Sequence, residues 1–197
     1  MKILDIMDQE TNMNFVLLFF PLADVPPAMA LGVEPAEHGL MQRNPRSPKR
    51  GVLTRASLAV ILFQSMVMTL MTFGVYMQAV YKKSKANTLS DDELQYYQSE
   101  AFAFLTCLQL LQGFLSRTMK NSVFKTNFFS NPWMIYGVLT SFTLMIIGIF
   151  VPGFNETILE LVPVTGVSWA KIAVGCVIQL TLSEIEKLIL RMTGATL

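Results

Sequence analysis

Five long apolar segments, separated by charged loops, restrict the folds open to this sequence of 197 residues. A helix that crosses a lipid bilayer needs about 20 predominantly apolar residues. The segments that come near this length cover residues 13–31, 53–81, 101–116, 132–151 and 169–190. Only 15% of the residues are charged, against about 25% in an average soluble domain. The sequence therefore predicts an all-α membrane protein, a bundle of five transmembrane helices, rather than a soluble helical bundle.

The charges of the connecting loops alternate along the chain. Residues 33–55 carry five basic side chains and two acidic ones, and residues 117–125 carry three basic side chains and no acidic one. Loops rich in lysine and arginine stay in the cytoplasm, so both loops and the carboxyl terminus are predicted to be cytoplasmic. Residues 82–100 and 154–165 hold more acid and fit the opposite side. The pattern does not choose among the endoplasmic reticulum, Golgi, vacuole and plasma membranes.

Composition argues against several kinds of site. The net charge of +1 gives no sign of nucleic-acid binding. Cys107 and Cys176 lie far apart in sequence, and His38 is the single histidine, so neither a disulfide framework nor a zinc site is expected. No cofactor is predicted for this chain.

Asp24 is an acid at the end of the apolar run over 15–23, directly before Pro26 and Pro27. A carboxylate in such a run is costly unless it has a partner, a proton or a cation. The prolines predict a break in the first span, and a broken helix frees carbonyl oxygens that can line a protein-enclosed cavity. Hard cations such as calcium or sodium prefer oxygen ligands. Asp24 is therefore a candidate metal ligand, with Gln109 of the third span as a second; a helix cap and an interhelical hydrogen bond are the alternatives.

Three other polar features stand near the ends of the spans. The loop carrying Met41, Arg43 and Arg46 is stiffened by prolines, which suits a docking surface for a soluble domain or for anionic lipid headgroups. Glu184 and Lys187 are spaced to pair across one helical turn, and we expect them on a solvated or snorkelling face. The segment 155–157, Asn-Glu-Thr, matches the glycosylation acceptor pattern.

Two strings resemble a known family. Residues 24–35 read Asp-Val-Pro-Pro-Ala-Met-Ala-Leu-Gly-Val-Glu-Pro, and residues 40–46 read Leu-Met-Gln-Arg-Asn-Pro-Arg. They resemble the sixth transmembrane helix and following loop of P-type cation-transporting ATPases, whose calcium and sodium branches typically read Asp-Gly-x-Pro-Ala-x-x-Leu-Gly and Met-x-Arg-Pro-Pro-Arg. Later elements agree in order up to the tenth helix, so the resemblance covers a C-terminal transmembrane domain over 15–197. Residues 1–14 are an atypical N-terminal segment.

The resemblance implies roles for particular residues. Asp24 would be a cation ligand, with calcium the first choice of ion and sodium the second, and the loop carrying Met41, Arg43 and Arg46 would couple the membrane domain to a phosphorylation domain. The family places an asparagine one turn before this acid, where this sequence has Phe20. Two-site calcium pumps also have a hydroxyl residue just before the acid and an eighth-helix glutamate, where this sequence has Ala23 and Gln109.

The family phosphorylates an aspartate in the string Asp-Lys-Thr-Gly-Thr, which this sequence does not contain. We therefore expect that this chain does not hydrolyse ATP by itself. A gene-model fragment, a degenerate copy and one half of a split gene are the three origins that would explain this. Its expected partners are the lipid bilayer and the remaining domains of a pump, and ATP and magnesium would act only in a complete pump. A sodium-type pump fragment and a non-catalytic membrane protein that binds or regulates a pump are the alternatives.

Overall fold

The apolar segments of the sequence form helices. The computed structural model describes residues 24–35, 54–86, 91–118, 130–153, 155, 159 and 161–193, and these residues contain helices and turns but no strand. The helices are α1 over 24–32, α2 Arg55–Ala86, α3 Asp91–Leu115, α4 Pro132–Phe150 and α5 Gly166–Met192. The all-helical prediction is confirmed for these parts of the chain.

Among the described residues, two helices are long and apolar enough to cross a membrane by length and composition, namely α4 and the part of α2 over Arg55–Tyr81. The other three predicted spans stay predictions. Only 6% of the most apolar stretch of α2 is buried within the chain, and 33% of that of α4. The core helix of a soluble protein would be mostly buried, so α2 instead offers its apolar side chains to lipid or to further helices.

The third helix is the centre of the fold, because α2, α4 and α5 all pack against it. A cluster of buried apolar side chains joins α2, α3, α4, α5 and the segment before α5: Val75, Ala103, Phe104, Leu108, Met145, Ile149, Val164 and Ile172. A helix enclosed by others can carry polar residues that lipid would not accept. This position accounts for α3 being the most polar of the predicted spans.

Helices α2 and α3 both extend into the loop that the sequence predicts over residues 82–100. This region was expected to be a loop, but α2 continues to Ala86 and α3 begins at Asp91 rather than near residue 101. The acidic residues at 91–93 were interpreted as a loop signal, whereas in the structure they occupy the first turn of α3. Acidic side chains are favourable there because they face the positive end of the helix dipole.

The fourth helix has the bounds that the sequence predicts to within one residue. Asn131 is its N-cap, since its side-chain oxygen accepts a hydrogen bond from the Met134 amide at 3.3 Å, and Pro132 follows at the first helical position. Both residue types are typical of a helix start. At the other end the Val151 amide donates to the Ile147 carbonyl at 3.0 Å, and Gly153 follows with φ of +83°.

The first helix is not interrupted at Pro26 and Pro27. Residues 24–32 are all helical, so the break predicted at these two prolines does not lie within them. Both prolines lie within this helical stretch, and neither has a backbone N–H to donate to an intrahelical hydrogen bond. The interruption predicted at Pro21 lies outside the described part of the chain.

Candidate cation site

The two predicted ligands, Asp24 and Gln109, line the same cavity. It has a volume of about 260 Å³, lies between α1 and α3, and is completed by Pro27, Ala28, Leu31, Leu110 and Gly113. Asp24 and Gln109 are 85 positions apart in sequence, and both side chains are exposed. The structure thus has in one cavity the carboxylate and the side-chain amide that the sequence proposes as ligands of one ion.

The chemistry of this cavity suits an oxygen-liganded cation but supplies only part of a coordination shell. Calcium takes about six to eight oxygen ligands. The cavity offers the Asp24 carboxylate and the Gln109 amide oxygen. Across the described ranges no group of three or more His, Cys, Asp or Glu side chains is placed to hold a metal ion. The remaining oxygens would have to come from backbone carbonyls, water or helices beyond these ranges.

Gly137 lets α4 approach α1 closely at the level of its prolines, and Gly113 of α3 lies in ordinary contact with the second proline. A Cβ atom added to Gly137 of α4 would lie 2.8 Å from the Pro26 carbonyl oxygen. A Cβ atom added to Gly113 of α3 would lie 4.0 Å from the Pro27 Cβ atom and 3.0 Å from the Met134 methyl group. The Pro26–Pro27 peptide therefore contacts α4, while the Pro27 side chain contacts α3.

A polar cluster of Glu34, Arg117 and Asn131 fastens the other end of α1; we refer to it as the Glu34 clamp. The Arg117 guanidinium donates to Glu34 Oε1 from Nε at 2.9 Å and from Nη2 at 2.6 Å. The Asn131 amide donates to Glu34 Oε2 at 2.6 Å and to the Ala30 carbonyl at 2.9 Å. The clamp thus joins the end of α1, the end of α3 and the start of α4.

The electrostatics of the clamp favour an ionised Glu34. Partial burial raises the pKa of this carboxyl, but the hydrogen bonds from Arg117 and Asn131 and the charge of Arg117 outweigh burial and lower the pKa below the usual 4.5. Arg117 is itself nearly buried, with 4% of its side chain exposed, and it also donates to the Ser130 hydroxyl at 2.7 Å. Sequence reasoning missed this cluster, although Glu34 follows Asp24 within the family-like string.

The structure does not bear on the other predicted site residues. Met41, Arg43 and Arg46, the predicted coupling loop, lie outside the described residues. The same holds for Phe20 and Ala23, which stand where the family has further ligands.

A second polar network, which sequence reasoning also missed, joins α2, α3 and α5. The Gln179 amide donates to Gln112 Oε1 at 2.9 Å, and the Gln112 amide donates to Gln64 Oε1. The Gln64 amide in turn donates to Glu186 Oε2 at 2.7 Å. Polar side chains at helical spacing on otherwise apolar spans were the available signal, since such residues bond between helices inside membranes.

Lys187 lies in a different environment from the one predicted. Its pairing with Glu184 is present at 3.7 Å, but the lysine side chain is only 4% exposed rather than solvated. The ammonium donates to the Leu115 carbonyl at 3.0 Å, at the carboxyl end of α3. A cation is favourable at this position because the last carbonyls of a helix carry partial negative charge. The prediction of a solvated face was wrong for this reason.

Comparison with known proteins identifies the family. The family model described as cation transporting ATPase, C-terminus, matches residues 16–189. A calcium-transporting ATPase of Bacillus subtilis (strain 168) is 34% identical over 143 residues, which are 73% of this chain and 15% of that protein. Calcium-transporting ATPase 1 of Bacillus cereus (strain ATCC 10987 / NRS 248) is 25% identical over 175 residues, which are 85% of this chain and 20% of that protein.

A mammalian relative gives the same result. Calcium-transporting ATPase type 2C member 2 of Rattus norvegicus is 26% identical over 154 residues, which are 75% of this chain and 16% of that protein. The chain thus spans between 15% and 20% of the length of these three relatives. Because the family model covers most of the sequence, the resemblance seen in residues 24–46 is confirmed: the chain belongs to the family of C-terminal domains of cation-transporting ATPases.

Proposed function

We propose that this chain forms the membrane domain that supplies part of the ion-binding site of a calcium-transporting P-type ATPase. The observation that carries the proposal is the convergence of Asp24 and Gln109 on one cavity between α1 and α3. Acids within membrane segments mark ion pathways by default. In this role Asp24 provides the charged ligand and Gln109 a neutral oxygen, while the other ligands come from further helices of the pump.

Calcium is the proposed ion for two reasons. The relatives that match the chain are named as calcium-transporting ATPases. A carboxylate and an amide oxygen are also ligand types that calcium accepts in flexible geometry. Sodium is the competing ion, and a direct competition measurement separates the two.

The five helices are proposed to cross the bilayer in alternating directions, with the carboxyl terminus in the cytoplasm. The support is that the ends of α1 and α3 and the start of α4 meet in the Glu34 clamp, and that the end of α5 meets the end of α3 through Lys187. Up-and-down helices bring these ends to one side, the side that carries the basic loops. A cysteine at Thr193 that reacts with an impermeant reagent only from the cytoplasmic side would support this topology, and labelling from the other side would overturn it.

The loop carrying Met41, Arg43 and Arg46 is proposed to dock on the phosphorylation domain of the complete pump, where ATP and magnesium act. The support is its family-like sequence and its basic charge. The test is a hybrid pump in which this chain replaces the corresponding region of the Bacillus subtilis relative. Arg43→Gln combined with Arg46→Gln should lower calcium transport while leaving calcium affinity unchanged. Unchanged transport in the double variant would contradict the role.

Calcium binding to the hybrid pump in lipid nanodiscs tests the ion site, because this chain by itself supplies only part of the coordination shell. Asp24→Asn should weaken radioactive calcium binding by more than about tenfold, since losing even an outer-shell partner of a metal costs that much. Asp92→Asn is the matched control, because Asp92 is an exposed acid on the first turn of α3, away from the cavity. Equal binding by the Asp24→Asn variant and the control would refute the ligand role. Displacement of calcium by an equal concentration of sodium would point to a sodium site instead.

A further inference from the structure

The contact between α1 and α4 leaves no room for a side chain at Gly137. An added Cβ atom would lie 2.8 Å from the Pro26 carbonyl oxygen, 2.9 Å from the Pro26 carbonyl carbon and 3.1 Å from the Pro27 nitrogen. All three are backbone atoms, which cannot turn aside as the tip of a flexible side chain can. Any residue other than glycine at this position must therefore displace the Pro26–Pro27 peptide from α4.

The same peptide is coupled directly to the cavity. Pro27 lines it together with Asp24, which is only two residues before Pro26. On the α3 side the cavity is lined by Gln109 and by Gly113, one turn later. A Cβ atom built on Gly113 would lie 4.0 Å from the Pro27 Cβ atom, so α1 and α3 are in van der Waals contact here. A displacement of the peptide would consequently change the separation of the two ligand side chains.

The Glu34 clamp fixes α1 at its other end. Glu34 receives hydrogen bonds from both Arg117 and Asn131, and Asn131 also holds the Ala30 carbonyl. Asn131 is 1% exposed and is at the same time the N-cap of α4, so its position is set by that helix. The clamp therefore limits sliding of α1 along α4, while Gly137 sets their distance.

We propose that Gly137 and Glu34 are positioning residues for the cation site, which hold α1 in the register where Asp24 and Gln109 share one cavity. This inference rests on the proposed function, because it assigns these residues an effect on the ion that Asp24 binds. Ligand groups must be held within about 0.5 Å of their productive geometry. A Cβ contact of 2.8 Å with backbone requires a shift of that order.

The first test is calcium binding by the hybrid pump in nanodiscs, in which the remaining ligands are present. Gly137→Ala should weaken calcium binding by roughly tenfold, the lower end of what loss of an orienting partner costs a metal site. The number of ions bound at saturation and the helical content should stay the same. A general loss of structure would lower both, so these two readouts separate it from a positioning effect. Gly74→Ala in α2 is the matched control, since nothing lies within 4 Å of a Cβ atom there. Equal calcium affinity in the two alanine variants would overturn the proposal.

The second test needs no ion and separates this inference from the proposed function. Pro27→Cys and Gly113→Cys, introduced in a chain with Cys107→Ala and Cys176→Ala, would have Cβ atoms 4.0 Å apart, within the roughly 3.5–4.5 Å of a disulfide. Adding Gly137→Ala should slow oxidation of this pair several-fold, and an unchanged rate would overturn the positioning role. If Asp24→Asn leaves calcium binding unaltered, the proposed function is wrong. The oxidation rate would still decide whether Gly137 holds α1 in its position against α3.

A second variant covers the case in which Gly137→Ala does not fold. Glu34→Gln keeps the size of the side chain but removes the charge that Arg117 binds. It should slow the oxidation of the same cysteine pair and weaken calcium binding, whereas Asp92→Asn should do neither. Full retention of both properties in the Glu34→Gln variant would overturn the role of the clamp.

Discussion

Asn131→Ala is expected to be among the most destabilising single changes outside the cation site. The Asn131 side chain makes three hydrogen bonds: it caps the Met134 amide, and it donates to the Ala30 carbonyl and to the Glu34 carboxylate. Alanine keeps none of them. The residue is 1% exposed, so water cannot replace the lost partners without opening the contact between α1 and α4.

The size of the effect follows from the three bonds. An N-cap contributes about 1 kcal/mol. A neutral hydrogen bond contributes about 1 kcal/mol and one to a charged group roughly 1.5–3 kcal/mol. Because 21% of the Glu34 side chain is exposed, its carboxylate can partly turn to water, and the lower value applies to it. We expect a loss of about 3.5 kcal/mol in the free energy of unfolding.

The assay is unfolding of the purified chain in mixed micelles, titrated with sodium dodecyl sulfate and followed by circular dichroism. Asn131→Ser should be about 1 kcal/mol more stable than Asn131→Ala, since serine retains the cap alone. Thr143→Ala on the exposed face of α4 should remain within about 0.5 kcal/mol of the native chain. An Asn131→Ala variant as stable as the Thr143→Ala variant would refute the account of the clamp.

Other outcomes follow from single contacts. Gly175→Ala should lower the free energy of unfolding by about 1–3 kcal/mol through overpacking, because an added Cβ atom would lie 2.4 Å from the Phe104 ring. Gly74→Ala, measured in the same unfolding assay, should not lower it. Since hydrogen bonds and a guanidinium lower the pKa of Glu34 from 4.5 in the folded state, its contribution to stability is complete above pH 4.5 and is lost as the pH falls through the lowered value. Unfolding titrations of Glu34→Gln should lack this acid-dependent component, and an identical pH profile would contradict it. Asn155 should carry no glycan after expression in glycosylating cells, as it is 3% exposed; a mass shift on treatment with a glycosidase would show otherwise.

Patterns within single segments predicted the helices well. The predicted span over 132–151 and α4 differ by one residue, and the span over 169–190 lies inside Gly166–Met192. The start of α3 was missed by ten positions because Asp91 begins a run of charges, and charge alone does not distinguish a loop from the first turn of a helix. Local sequence therefore located the apolar part of each helix better than its polar end.

Contacts between helices were less accessible from the sequence. Residue type alone makes Asp24 and Gln109 candidate ligands of one ion, but their shared cavity depends on how α1 packs against α3. Nothing in the sequence relates Glu34 to Arg117, 83 positions later. Likewise, nothing in the sequence distinguishes Lys187 from a solvated lysine. Its hydrogen bond to the Leu115 carbonyl depends on the packing of α3 beside α5. Such pairs are defined by packing geometry, to which a single sequence gives no direct access.

The polar network between α2, α3 and α5 has a consequence for biosynthesis. Gln112 receives its hydrogen bond from Gln179, 67 positions later in the chain. When α3 leaves the ribosome, Gln64 of α2 is already present to accept from the Gln112 amide, but the donor on α5 to the Gln112 side-chain oxygen does not yet exist. The contacts that join α3 to α5 should accordingly form only after α5 has been made, so that the network closes late in the synthesis of the chain.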